Sequence, residues 1–336
     1  MNVNVTRGPL VESVHAIAAC AVDDRGRTLL AHGDIDAPVF VRSAAKPFIA
    51  AAIVLSGAAD RFGFDDRELA VIAASHNGEP FHVAAVEGIL AKTGLTIADL
   101  QCGAHPPAYD PAARALQDAH VPYSAVHNNC SGKHAGILAM CVHLGFELDG
   151  YLAPEHPAQE IVLGLCARMV GEERSAMPIG VDGCGIPVFA TPLRRAALAF
   201  ARLATLDGFA DADARALERV RSAMAAQPRF VAGTGRLDTA IMEATEGRIV
   251  CKAGAEGVHG DALLRERAGL AMKVKDGTRR AAAPAVIALL DELGALDPDE
   301  HAALRDFASQ EVRNVAGRVV GRIAPSADTI AAGAAS

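Results

Sequence analysis

The chain has 336 residues, of which 51% are apolar and 21% charged. That composition excludes a disordered chain, which lacks the apolar surface needed to offset the entropy of ordering, and the length suits one large catalytic unit, 1–336, with two lobes. A formal charge of −8 with no tryptophan offers no net positive field to phosphates, so nucleic acid is not expected as a partner.

No apolar run approaches the roughly 20 residues a bilayer requires. The start, MNVNVTRGPLVESVH, has no basic segment followed by an apolar one, so the expectation is a cytoplasmic protein with no membrane partner. Seven scattered cysteines lack the paired spacing of a disulfide framework and read as reduced thiols.

Taken in chain order, residues 14–22 (VHAIAACAV) and 27–32 flank the turn sequence Asp23-Asp24-Arg25-Gly26 and predict a β-hairpin. Residues 43–55 (SAAKPFIAAAIVL) predict a buried helix with Ser43 at its N-terminus, because Pro47 falls where a missing N–H costs little. Asp65, three residues before Glu68, predicts a capped helix start, with Ser75 at that helix's end. Between Pro80 and Gly247 the pattern is mostly helical, notably at 81–92, 132–144, 157–170, 193–205, 212–225 and 236–245. Strand patterns return at 248–252 and 270–275, followed by a helix at 281–293. The run from Arg265 to Arg280 reads as a solvated strand-and-turn face, and the Ala/Gly/Ser tail after about 331 as frayed. The fold class expected is α/β in the α+β sense: one mainly antiparallel sheet drawn from both chain ends (8–41 and 247–336) with a helical lobe (42–246) inserted between.

Three short motifs carry candidate chemistry. Ser43-Ala44-Ala45-Lys46 is S-x-x-K, whose i,i+3 spacing puts hydroxyl and amine on one helical face. At a helix N-terminus the dipole disfavours a charged lysine and favours an oxyanion. Ser75-His76-Asn77 is S-x-N, and Lys252-Ala253-Gly254 is K-x-G. Their order is that of the S-x-x-K, S-D-N and K-T-G motifs of penicillin-recognising serine hydrolases. Two ammonium groups in one pocket cannot both stay charged cheaply, so one lysine could deprotonate Ser43 or Ser75. The plainer alternative is a helix-end Ser75 and a strand Lys252 that packs its stem.

A second constellation is His127-Asn128-Asn129-Cys130-Ser131-Gly132-Lys133-His134, followed by Val181-Asp182-Gly183-Cys184-Gly185. His127 stands where a P-loop needs its first glycine and His134 where it needs Ser or Thr, so phosphate cradling is rejected. Cys130 and Cys184 lie in Gly-flanked loops that let a thiolate approach a metal, although single cysteines more often serve as small buried hydrophobes. Arg42, Arg236 and Asp182 are candidates for gripping the charged ends of a small zwitterion.

Together the segments VESVH, VRSAAKPF, ASHNGEPFHV, HNNCSGKHAGIL, GVDGCGIP, VAGTGRLDT, CKAGAEGVHGD and AMKVKDG resemble the asparaginases of the rhizobial inducible and constitutive type. These differ from the bacterial Thr-nucleophile and the plant-type N-terminal-nucleophile enzymes. The resemblance implies a fold like serine β-lactamases and glutaminases, a homodimer, and hydrolysis of L-asparagine to L-aspartate and ammonia. It implies two Ser-Lys pairs, Ser43 with Lys46 and Ser75 with Lys252, and a zinc site at Cys130, Lys133 and Cys184. The substrate-binding candidates are then Arg42, Asn77, His134, Asp182, Arg236 and Gly254. His76 replaces the Asp of S-D-N and Ala253 the Thr of K-T-G, which argues against β-lactam binding. A glutaminase, a broader serine amidase, or a non-catalytic amino-acid or zinc-binding protein remain the alternatives.

Overall fold

Residues 1–326 are described by a computed structural model of the protein; the tail expected to fray after 331 lies outside the described residues. The strands are β1 (Asn2–Arg7), β2 (Leu10–Asp23), β3 (Thr28–His32), β4 (Pro38–Phe40), β5 (Ile179–Val181), β6 (Pro187–Pro192), β7 (Ile249–Gly254), β8 (Val258–Leu263), β9 (Ala268–Val274), β10 (Gln310–Arg313) and β11 (Val319–Pro325). The helices are α1 (Lys46–Leu55), α2 (Ala58–Arg61), α3 (Asp66–Ile72), α4 (Pro80–Thr93), α5 (Asp110–Asp118), α6 (Ser131–Leu144), α7 (Pro157–Val170), α8 (Leu193–Thr205), α9 (Asp211–Ala226), α10 (Pro228–Val231), α11 (Leu237–Ala244), α12 (Ala282–Glu292) and α13 (Pro298–Ala308).

The fold is mixed α/β. Both chain ends supply one antiparallel sheet in the order β10-β11-β1-β2-β9-β8-β7, with β3 also paired to β2. The hairpin expected at 14–32 is β2–β3, its turn closed by Asp23 Oδ1 accepting the Arg25 and Arg27 N–H groups. Strand β1 extends the sheet to before residue 8. Its polar alternation NVNVTR places only Val3 and Val5 inside, a period-2 signal too short to stand out from a loop. A second sheet, β4-β6-β5, lies partly within the stretch read as helical, for the same reason: its strands have three to six residues.

Helix α8, counted in sequence with the helical lobe, packs instead on the sheet, against β2, β8 and β9. Its face of Leu193, Ala196, Ala197, Phe200, Ala201 and Ala204 is buried, the stripe expected of an amphipathic helix on a core. A Cβ on Gly269 would overlap the backbone of Ala197 and Ala201, so glycine sets how closely helix and strand approach. Beyond α8, Phe48 of α1 meets Phe200 edge-on with ring centroids 5.4 Å apart. That contact continues the core into the helices α1, α6, α7 and α9 that surround one another on the far side. Strand β7 forms one margin of the sheet, and a 3₁₀ turn, Arg42–Ala45, packs against it. The junction is tight: a Cβ on Gly254 would stand 3.1 Å from Val41 O and 3.3 Å from Ala44 N.

Candidate active site

The predicted helix at 43–55 begins as that 3₁₀ turn. Lys46 opens α1 with its backbone N–H on Ser43 O, so Ser43 and Lys46 remain one turn apart. The residue before the serine, Arg42, has φ +53°, a left-handed conformation that costs a non-glycine residue about 1–3 kcal/mol. Its guanidinium is clamped by Asp182 Oδ1, at 2.9 Å from Nε and 2.8 Å from Nη2. Arg42 and Asp182, expected to hold the two ends of a zwitterion, therefore hold each other. They border a cavity of about 20 Å³ that also touches Ser43, Lys46 and Lys133, room for about one water.

On its other side Ser43 lines a larger cleft of about 170 Å³ with Ser75, Asn129, Arg236, Asp238, Gly254, His259 and Arg279. Ser75 reaches it from an extended segment after α3, pinned by Ser75 N on Val231 O and Asn77 N on Ala232 O. The Lys46 Nζ, 1% exposed, donates to Ala74 O (2.5 Å), Ser75 Oγ (3.0 Å) and Asn129 O (3.3 Å). Burial, with Lys133 adding to it, pushes the Lys46 pKa down against the opposing pull of Cys130 and Cys184. Lys252 Nζ is fully buried and donates to Ala253 O (2.6 Å) and Asp238 Oδ2 (3.3 Å). Burial lowers its pKa to about 8, Asp238 opposing and Lys46 and Arg236 assisting. The serine hydroxyl hydrogen-bonded to a lysine is thus Ser75, and its partner is Lys46.

The residues substituted in the S-x-N and K-x-G motifs act locally. His76 Nδ1 accepts from Gly78 N, which leaves Nε2–H to donate to Ser131 Oγ at 2.9 Å. The ring locks the Ser75 loop to the start of α6. Asn77 is buried, its Oδ1 accepting from Arg236 Nη1 (2.8 Å) and its Nδ2 donating to Thr234 O. It holds Arg236 at the cleft. His134 is fully buried with Nδ1 on Tyr151 Oη at 2.7 Å, away from the residues that line the cleft.

Behind Lys46, Lys133 Nζ donates to Cys184 Sγ at 3.0 Å, and Cys184 in turn stands beside Cys130. The hydrogen bond from Cys184, followed by the Lys133 and Lys46 charges, holds Cys130 well below the usual thiol range in spite of burial. Cys184, as the donor, is pushed up. Two soft sulfurs and a lysine nitrogen converge, a donor set that suits zinc once deprotonated.

Sequence reading missed Asn129, Asp238, His259 and Arg279 as cleft residues. Asp238 and His259 stand inside the quoted polar segments but carry no motif spacing. Arg279 belongs to the run read as a solvated face, whereas β9 within that run is buried between β2 and β8. Asp238, Cys251 and His259 also bring three potential metal-donor atoms within 4.8 Å of one another.

The family whose sequence pattern is described as L-asparaginase II matches residues 3–325. No curated protein matches the chain at a significant level. Among solved structures, the chain is similar to Mglu at 18% identity and a TM-score of 0.38, covering 83% of this chain and 67% of that one. For Mglu in 4.3 M NaCl the values are 18%, 0.39, 84% and 63%, so the chain spans less than two thirds of that protein. A candidate beta-lactamase from Bacteroides dorei gives 18%, 0.41, 78% and 88%.

Proposed function

The chain belongs to the L-asparaginase II family, which makes it an amidohydrolase, and on that premise we propose that it hydrolyses L-asparagine to L-aspartate and ammonia through an acyl-enzyme on Ser43. The observation that carries this reading is the 3.0 Å hydrogen bond from Lys46 to Ser75 Oγ, with Ser43 one turn before Lys46 on the wall of the same cleft. A lysine acts as a base only when neutral, and burial favours that form of Lys46.

In the proposed sequence Ser43 Oγ attacks the carboxamide carbon while its proton passes to Lys46 Nζ. Ser75 and Lys252 relay a proton to the departing ammonia, and water then cleaves the ester. The Ser43 N–H and one N–H from the end of β7 would face the developing oxyanion, each such donor contributing ~3–4 kcal/mol. Arg236, held by Asn77, suits the substrate carboxylate.

The same reading assigns zinc to Cys130, Lys133 and Cys184, where it would supply Lewis-acid polarisation or orientation of a substrate oxygen. Deprotonated ligands make its occupancy pH-dependent. Zinc content measured on the wild type and on Cys130→Ala tests the site directly, with loss of stoichiometric metal expected in the variant. A homodimer is part of the proposal, and sedimentation velocity tests it.

Ammonia release from L-asparagine by the wild type beside Ser43→Ala, with L-glutamine in parallel, tests the reaction. Asparagine turnover lost in the variant supports it. A methylene changes discrimination by only about 1–3 kcal/mol, so some glutamine turnover is compatible, whereas a higher kcat/KM for glutamine makes the protein a glutaminase. Asparagine binding without ammonia release makes it a binding protein.

A further inference from the structure

Asp238, Cys251 and His259, whose donor atoms cluster within 4.8 Å, are already engaged with the protein. Asp238 Oδ2 accepts from Ala253 N at 3.0 Å and from Lys252 Nζ at 3.3 Å. Cys251 Sγ donates to Asp238 O at 3.6 Å. His259 stands between two carboxylates, with Nε2 2.9 Å from Asp261 Oδ1 and Nδ1 4.0 Å from Asp238 Oδ1. A cation among these atoms would sit against the Lys252 ammonium.

We propose that Asp238, backed by His259 and Asp261, is a positioning residue that anchors the Lys252 ammonium beside the cleft and governs release of its proton. Lys252, Asp238, His259 and Asp261 are each at most 1% exposed, and they alternate in sign along the chain of contacts. Against the cost of burial, Asp261 and then Asp238 raise the His259 pKa. Burial likewise works against ionised Asp238, but the Lys252, His259 and Arg236 charges bring its pKa to about 2. The charged groups acting on Lys252 are Asp238 on α11, Arg236 in the loop before it and Lys46 on α1; His259 on β8 feels the Lys252 charge in turn, Asp261 stands behind His259, and Cys251 is the neighbour of Lys252 on β7. Asp238 is the anion in hydrogen-bond contact with the ammonium, and both Asp238 and His259 open onto the cleft that holds Ser43 and Ser75. Removing an anion beside a lysine lowers its pKa, and removing a cation behind that anion raises it. A pair of variants therefore moves Lys252 in opposite directions, which loss of packing alone does not do.

The catalytic meaning of this anchor rests on the Ser-Lys reading above. The test follows Lys252 itself: titration of the isotope-labelled lysine Nζ signals by NMR, with Lys252→Met for assignment, in full-length wild type, Asp238→Asn and His259→Asn. The expected result is a Lys252 midpoint lower by about one pH unit or more in Asp238→Asn and higher than wild type in His259→Asn. The pH limb of amide hydrolysis that depends on Lys252 should move with each midpoint. Unmoved midpoints, or shifts of the same sign in both variants, overturn the proposal. If Asp238→Asn does not fold, the sign of the shift in His259→Asn decides it. Absence of ammonia release from the wild type would defeat the functional reading alone, because the Lys252 midpoints still report on the anchor.

Discussion

The seam between α8 and the sheet and the seam between β7 and the turn at Arg42–Ala45 both lie inside the molecule, yet they are built from opposite chemistry. The first is closed by Gly269, Ala197, Ala201 and Phe200 packed without a charge between them. Near the second, Lys46, Lys252, Asp238, His259 and Asp261 are all buried to 1% exposure or less. Apolar burial stabilises by about 25 cal/mol per Å², whereas the attraction within a buried ion pair often only offsets the desolvation of its members. On the Ser-Lys reading proposed above, the charged seam serves proton transfer and the apolar one supplies stability.

Substitutions should separate the two seams. The largest effect belongs to Ser43→Ala, with kcat for amide hydrolysis lower by a factor on the order of 10³ or more and a Tm close to wild type. Near-normal kcat would remove Ser43 as nucleophile. Gly269→Ala should do the reverse. Its Cβ meets helix backbone, which cannot rotate away as a side chain can, and such overpacking costs about 1–3 kcal/mol. Denaturant unfolding should show that loss, while kcat per folded molecule stays near wild type. Equal loss of activity and stability in both variants would erase the distinction between the seams.

A smaller effect sharpens the comparison through pH. Burial lowers the Lys252 pKa to about 8 in the folded protein from the 10.5 usual for a lysine. Between those values the unfolded chain binds more protons, so this group makes stability rise with pH across about 8 to 10.5, by at most about 1.4 kcal/mol per unit. Lys252→Met should lessen that slope, as chemical denaturation at several pH values would show. An unchanged slope would mean that Lys252 stays protonated throughout the window.

The apolar seam was largely legible in sequence. The helix read at 193–205 matches α8, and the hairpin at 14–32 supplies β2 and β3, because long runs of one period leave few alternatives. The charged seam was legible only where motif spacing marked it, at Ser43, Lys46, Ser75 and Lys252. Asp238 and His259 are twenty-one positions apart and become neighbours only when α11 packs on β7 and β8 pairs with β7. No local pattern encodes that meeting. Likewise Asn77 and His76 stand in a motif that suggests substrate contact, yet their hydrogen bonds go to Arg236 and Ser131, partners distant in sequence.

Asp65→Ala offers the smallest effect and bears on how the seams are joined. The sequence D-x-x-E becomes a reciprocal cap, Glu68 N on Asp65 Oδ1 and Asp65 N on Glu68 Oε2, both at 2.9 Å. Loss of such a cap costs about 1 kcal/mol. Helix α3 leads into Ser75, so a site that depended on a rigid α3 would lose kcat along with stability. Ser75 is pinned instead from outside the helix, by Val231 O and by Lys46. The expected outcome is therefore a small fall in Tm with kcat retained, and a fall in kcat at temperatures well below unfolding would show that the α3 cap, too, holds Ser75 in place.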